Sequence, residues 1–443
     1  MGSVYEKRRE QFLAAMEPGA IAIFPTAPEV RRSNDSEFPF RADTDLFYLT
    51  GFNEPEAVCV LAKDPRKKPF TMFVRPRDKE RETWTGRREG PEGATKNFGA
   101  SDAFTFTQLD EKMPALLEDS SVVYHFLGRY HEFDTRVAGW INTVKSRARL
   151  MVLPPREMKD PAPVLHEMRL FKTEADLSLL RRAIAISAEG HREAMAACKP
   201  GMKEYELQAV IEYIFKRRGA DSVGYNSIVG AGVNATILHY VVNKDTLKDG
   251  ELLLLDAGAE IDCFTGDITR TYPVNGKFSG AQRAVYEIVL DAQKKAIAEC
   301  RAGSPFQTVH EVATRRLAEG MVALKLIEGP ADEAWESGAY KKFYMHRTSH
   351  WLGMDVHDVG DYYRIGGASR PLEPGMVLTI EPGLYIGADE TLPKGADPAL
   401  RGIGIRIEDD VLITKDGHEV LSRECPKEIA DVEREMARSS IFA

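Results

Sequence analysis

Short apolar runs bounded by Pro, Gly, Asp or Lys recur as far as about residue 150: "AIAIF", "LFYLTGF", "AVCVLA", "FTMFV" and "VVYHFL". Their β-branched and aromatic content predicts strands. Between them "FTQLDEKMPALLED" and "EFDTRVAGWINTVKSRA" place apolar residues at helical intervals, so this part is expected to be an α/β layer domain. "MVLPPREMKDPAPVLHEMRLFK" then gathers four prolines and predicts an inter-domain connection from about residue 151 to 172.

At Thr173 the pattern changes to long amphipathic helices. "KTEADLSLLRRAIAISAEGHREAMAAC" has acids early and bases later, and Pro200-Gly201 stops it. "KEYELQAVIEYIFKRRGA" is a second helix ending at Gly219. The same order returns in "SGAQRAVYEIVLDAQKKAIAECRAGSPFQTVHEVATRRLAEGM", helix, Gly-Ser-Pro break, helix. Each pair adjoins β-rich, glycine-containing sequence. A duplicated α/β unit over 173–443 is the expected plan, preceded by a domain over 1–172.

Composition narrows the functional classes. The 443 residues are 43% apolar and 29% charged, as in a globular protein of two or more domains. A net charge of −9 leaves no surplus for neutralising phosphates, so no nucleic-acid partner is expected. No apolar run reaches the roughly 18 residues of a membrane span. Cys59, Cys198, Cys263, Cys300 and Cys425 are odd in number and scattered, without a Cys-x-x-Cys pair. That pattern fits a reducing cytoplasm better than a disulfide framework or thiolate zinc site.

The candidate chemistry lies in the second domain. In "ELLLLDAGAEIDCFTGDITRTYPV", Asp256 ends an apolar strand and Asp267 follows eleven residues later. A hairpin turning near Ile261-Asp262 would make them opposed residues on one face, which is unfavourable without a cation or proton between them. Glu381 follows the strand of "VLTIEPGLYI", and Glu408 sits in "GIGIRIEDDVLIT". "MHRTSHWLGMDVHDVG" adds His346, His350 and His357. Four buried carboxylates would partly protonate unless about four positive charges were present, which two divalent ions supply. An oxygen-rich set with one imidazole suits Mn²⁺, and two such ions can activate a water and stabilise a tetrahedral intermediate. That is hydrolase chemistry.

The order Asp256, Asp267, His350, Glu381, Glu408 resembles the ligand set of the "pita-bread" metallopeptidases, which include methionine aminopeptidase, prolidase and aminopeptidase P. The resemblance is closest to the aminopeptidase P branch. It runs from "SEFPFRADTDLFYLTGFNEPEAV" and "RETWTGRREGP" through "YNSIVGAGVNATILHY" and "DAGAEIDCFTGDITRTYP" to "HWLGMDVHDVG" and "GIGIRIEDD". It implies an N-terminal α/β creatinase-like domain that shapes the cleft, then a pita-bread catalytic domain with pseudo-twofold halves. It also implies two Mn²⁺ ions, replaceable by Zn²⁺ or Co²⁺, with a bridging hydroxide that cleaves an N-terminal Xaa-Pro bond.

On the same resemblance, Asp256 is a terminal ligand of one metal and His350 and Glu381 are ligands of the other. Asp267 and Glu408 bridge the two, and Glu381 also handles the proton. His239, His346 and His357 are expected to bind the peptide and stabilise charge without holding metal. Arg406 shares a strand face with Glu408 and is expected to hold His357 or the substrate backbone, with Tyr225 and Asn226 as supporting groups. Trp84 is expected to pack on the prolyl ring from a neighbouring subunit, which requires a homotetramer or homodimer. Prolidase is the nearest rival, and a non-catalytic binding protein on the same fold is the rival from another class. Arg347-Thr348 departs from the family's pattern between the two histidines.

Overall fold

The computed structural model describes residues 3–442. The chain forms two compact units that divide between Met168 and Arg169.

The first unit is built on a six-stranded mixed sheet. Its spatial order is Asp102–Thr105, Phe70–Val74, Val58–Ala62, Ile21–Pro25, Val122–Tyr124 and Glu157–Lys159. The central strands are buried throughout, which explains their unbroken apolar runs. Helices Leu109–Leu117 and His131–Ser146 cover them with Met113, Leu117, Val137 and Trp140.

Two expectations for this unit are corrected. "LFYLTGF" is not a strand: Thr44–Thr50 is a helix with every residue buried. The Asp43 carboxylate caps it by accepting the Asp45 and Leu46 N–H groups, and Gly51, at φ 71°, stops it. A run that is apolar on all sides suits a buried helix as well as a buried strand, and the caps decide. The stretch from 151 to 172 is not a bare connection either. Glu157–Lys159 pairs in parallel with Val122–Tyr124 as the sheet's edge, and Ala162–Leu170 is a helix. Its prolines sit before the strand and around the helix start, where a missing N–H costs little.

The second unit repeats one plan. Helices Glu174–Ala197 and Glu204–Arg217 precede a β-ribbon, and helices Gly280–Ala298 and Phe306–Ala323 precede another. Thr173 and Ser279 cap the leading helix of each pair through reciprocal hydrogen bonds with Asp176 and Gln282. The first ribbon keeps one register from Leu252↔Pro273 through Asp256↔Thr269 to Ile261↔Phe264. The second runs from Val377↔Leu412 through Ile380↔Asp409 and Gly383↔Arg406 to Tyr385↔Gly404. The ribbons are joined where Glu408 N–H donates to the Thr269 carbonyl at 3.1 Å. Among the described residues no helix is long and apolar enough to cross a membrane.

The first ribbon corrects the expected hairpin. Its turn is at Asp262-Cys263, both with positive φ (47° and 67°), one residue later than expected. Two consecutive positive-φ residues give the primed turn whose twist matches a hairpin. Asp256 therefore faces Thr269, not Asp267. Because residues two apart on a strand share a face, Asp267 still reaches the same side as a diagonal neighbour. Between the Asp256↔Thr269 and Ile261↔Phe264 pairs there is no room for a side chain at Gly258, where an added Cβ would lie 1.7 Å from the Gly266 carbonyl oxygen. Any side chain there would push the strands apart.

Candidate metal centre and active site

The register of the second ribbon sets Glu381 across from Glu408, between the Ile380↔Asp409 and Gly383↔Arg406 pairs. The first ribbon brings Asp256 and Asp267 to them, and the segment before Trp351 brings His350. That segment is held because Thr379 N–H donates to the His350 carbonyl and Glu381 N–H to that of Thr348. All five expected ligands line one cavity of about 770 Å³, with Tyr225, Asn226, His239, His346, His357 and Arg406.

One atom each of Asp267, His350 and Glu408 lies within 4.8 Å of the other two. His350 Nε2 is 3.3 Å from Asp267 and 3.5 Å from Glu381. Its Nδ1–H donates to the Trp351 carbonyl at 3.0 Å, which leaves Nε2 as the ligating nitrogen. The Tyr225 hydroxyl is 2.6 Å from Asp256 and 2.6 Å from Asp267. A phenol has one proton to donate, so one of these short contacts needs another positive charge.

The electrostatics point the same way. Burial and the charges of Asp267, Glu381 and Asp256 raise Glu408 well above the usual carboxylate range. Burial, reinforced by Asp267 against the opposing pull of His350, raises Glu381 to about 7. Burial opposes the charge on His350, but Asp267 and Glu381 outweigh it and raise the imidazole to about 9. Among the described residues the cations in contact with this cluster are the Arg406 guanidinium and the His350 imidazole, too little charge for four carboxylates. The donor set fits divalent cations, mostly through oxygen.

Of the two partners expected for Arg406, His357 is not the one it holds: its guanidinium donates to Asp256 at 2.6 Å and to the Tyr385 hydroxyl at 3.1 Å. Asp256 lies across the ribbon junction on the same face and offers a full charge, the stronger attraction in a buried site. Tyr385 is the group the sequence reading missed. Its hydroxyl donates to His346 Nε2 at 2.8 Å, while His346 Nδ1–H donates to the Arg347 carbonyl at 2.7 Å. Burial and Arg406 lower His346 to about 3, so it is neutral.

Both His346 nitrogens are thus engaged with protein. His239 and His357 make no side-chain hydrogen bond among the described residues, and each lines the cavity. Asp410, which accepts the Asp267 N–H at 3.1 Å, was also missed. A signal was present for both, since Tyr385 is four residues beyond Glu381 and Asp410 two beyond Glu408. Trp84 is in the first unit, 85% exposed, on the short helix Lys79–Thr85.

Comparison with known proteins places these features. Residues 178–415 match the model of metallopeptidase family M24, and residues 5–124 that of the aminopeptidase P N-terminal domain. The chain is 44% identical to the Xaa-Pro aminopeptidase of Escherichia coli K12, over 97% of this chain and 96% of that protein. It is 33% identical to human Xaa-Pro aminopeptidase 3, over 98% and 86% of the two. The structure of Pseudomonas aeruginosa aminopeptidase PepP matches with a TM-score of 0.95 at 47% identity, covering 98% and 97%. That of zinc-substituted E. coli aminopeptidase P in complex with product matches with a TM-score of 0.94 at 44% identity, covering 98% of each chain.

Proposed function

The chain belongs to metallopeptidase family M24, and from that premise we propose that it is an Xaa-Pro aminopeptidase. The observation that carries this reading is the convergence of Asp256, Asp267, Glu381, Glu408 and His350 on one cavity. These five residues would hold two divalent ions, Mn²⁺ being the proposed pair and Zn²⁺ or Co²⁺ substitutes. When bound, such ions lower the pKa of a water and polarise the attacked carbonyl.

The chain's own residues supply the rest. Glu381 lines the cavity with one carboxylate oxygen 3.5 Å from His350 Nε2, and there it takes the proton released as water attacks the carbonyl. It returns that proton to the prolyl nitrogen, which has no hydrogen of its own and leaves as a secondary amine. His239 and His357, with ring nitrogens unused by protein, hydrogen-bond the peptide. His346 holds Tyr385 at the edge of the cavity, and Arg406 holds both Tyr385 and Asp256. The exposed Trp84 is proposed to supply an apolar platform for the prolyl ring of a neighbouring copy, in a homodimer or homotetramer. Five buried thiols suit a cytoplasmic site of action.

The test is cleavage of an Xaa-Pro-Xaa peptide against an Xaa-Ala-Xaa control, on protein stripped by chelator and reloaded with Mn²⁺. Metal-dependent release of the first residue from the prolyl peptide alone is expected. Cleavage confined to Xaa-Pro dipeptides would make the protein a prolidase. Protein that takes up no metal and cleaves neither peptide would be a binding module. Sedimentation of the same samples as a monomer would remove the role given to Trp84.

A further inference from the structure

A second cavity, of about 530 Å³, adjoins the first, and His346 and Arg347 line both. Its inner polar groups are satisfied within the protein. Thr348 Oγ1 lies 2.9 Å from His310 Nδ1 and 2.8 Å from the Tyr344 hydroxyl, and Trp335 Nε1 donates to Thr314 at 2.9 Å. Its cations are not. Arg347 is exposed and donates only to the neutral Gln307 oxygen at 3.2 Å, and among the described residues neither Arg347 nor Lys341 has an ion pair. Both stand close enough to His310 that, after burial, they are the causes that lower its pKa to about 4, so this imidazole adds no charge. Glu311 is the single acid in the lining. The cavity therefore presents two unpaired cations against one carboxylate, at the wall it shares with the metal centre.

We propose that this second cavity is the downstream part of the peptide site, taking the chain beyond the proline, and that Arg347, assisted by Lys341, reads a carboxylate there. The inference rests on the proposed aminopeptidase function. The second cavity adjoins the metal centre through His346 and Arg347, and its excess of cations repels the free ammonium end of the peptide and suits the downstream, carboxylate-bearing end. A guanidinium fork matches a carboxylate in two parallel hydrogen bonds, and Arg347, held only by the neutral Gln307 oxygen, gives up no ion pair on binding. The carboxylate has two possible sources, the free C-terminus of a short peptide and an acidic side chain in a longer one.

The experiment compares kcat/KM for Ala-Pro-(Ala)n free acids and their amides, with one to four residues after the proline. A second arm compares Ala-Pro-Ala-Glu-amide with Ala-Pro-Ala-Gln-amide. The wild-type enzyme is expected to favour the carboxylate member of at least one arm about tenfold, the size of one charge-assisted hydrogen bond. The preference should peak at one chain length, shrink at high salt, fall to about twofold or less in Arg347→Gln and be intermediate in Arg347→Lys. The arm that responds identifies the source. A ratio near one in both arms at every length would overturn the proposal. So would a preference that survives in both Arg347→Gln and Lys341→Gln. Failure to cleave even the neutral amides would instead strike the proposed function itself, and this inference with it.

Discussion

Glu408 and Asp409 are consecutive and both buried, at 2% and 0% exposure, yet they are held in opposite ways. Glu408 faces the cavity among three other carboxylates, and one of its oxygens accepts a 2.6 Å hydrogen bond from the Thr269 hydroxyl. Asp409 points to the other side of the strand. There it accepts from Arg270, Gln293 and Ser422, each at 2.7 Å, and from Lys427. Burial pushes both carboxyls up. At Asp409, Arg270 and Lys427 reverse the push and hold it far below the usual carboxylate range, whereas at Glu408 the neighbouring acids add to it. Burial of an acid therefore says nothing about its use. A compensated acid holds the fold, and an uncompensated cluster waits for a cation.

The strongest way to break this comparison is Glu408→Gln, with Asp267→Ala beside it. Both should abolish peptide cleavage, a loss beyond the roughly 100-fold that outer groups of a metal site cost, together with bound metal. In chelator, however, Glu408→Gln should unfold no earlier than wild type, because it replaces an acid whose charge burial and its neighbours already disfavour with a neutral side chain of the same size. A clear drop in its melting temperature under chelation would mean that the cluster is compensated after all.

Asp409→Asn should do the reverse. It strands the fully buried Arg270 guanidinium and should cost about 3–5 kcal/mol in denaturant unfolding, the usual penalty for breaking a buried pair from one side. A change below about 1 kcal/mol would show that the remaining acceptors of Arg270 suffice without the charge.

His191 tests the uncompensated case without a metal site. It is fully buried, donates to the Ala257 carbonyl at 3.1 Å, has no partner at Nδ1, and is lowered to about 4 by burial. The unfolded chain binds a proton near pH 6.5, while the folded one refuses it until about pH 4. Stability should therefore fall as the pH drops through that window, by about 3 kcal/mol, and level off below it. In His191→Gln the slope between pH 6.5 and 4 should shrink by about that amount, and an unchanged slope would place the titration elsewhere.

The smallest effect is expected at Tyr385→Phe, which breaks the link from Arg406 to His346. Turnover should fall about 10- to 100-fold with metal content retained, as for other groups that orient a metal site from outside. Loss of metal in this variant would show that Tyr385 holds Asp256 in place through Arg406, and that its part in turnover is secondary.

Much of the molecule was legible in advance because it is written locally. The capped helix pairs, the central strands of the first sheet and the strand-end positions of Asp256 and Glu381 follow from periodicity, caps and turn residues. The failures have a common cause. "LFYLTGF" has no polar face, so its period is silent, and only Asp43 and Gly51 reveal a helix. The expected linker contains a strand that exists because Val122–Tyr124 offers it an edge. The pairing of Arg406 with Asp256 was not foreseen because Asp256, 150 residues away, becomes its neighbour only when the ribbons meet.

The sequence alone thus determined which residue types could form the centre, their order, and the repeated framework that carries them, since caps, periods and turns act over a few residues. The tertiary structure decided which acids share a face, that Asp256 meets Thr269 rather than Asp267, and that Arg406 and Tyr385 belong to the site. It also decided that Asp409 is neutralised while Glu408 is not. The register of the first ribbon turns on the conformation of one hairpin. The pairings of Arg406 with Asp256 and of Arg270 with Asp409 bring charges together across more than a hundred residues of chain, and the electrostatic fate of a buried group is set by its neighbours in space.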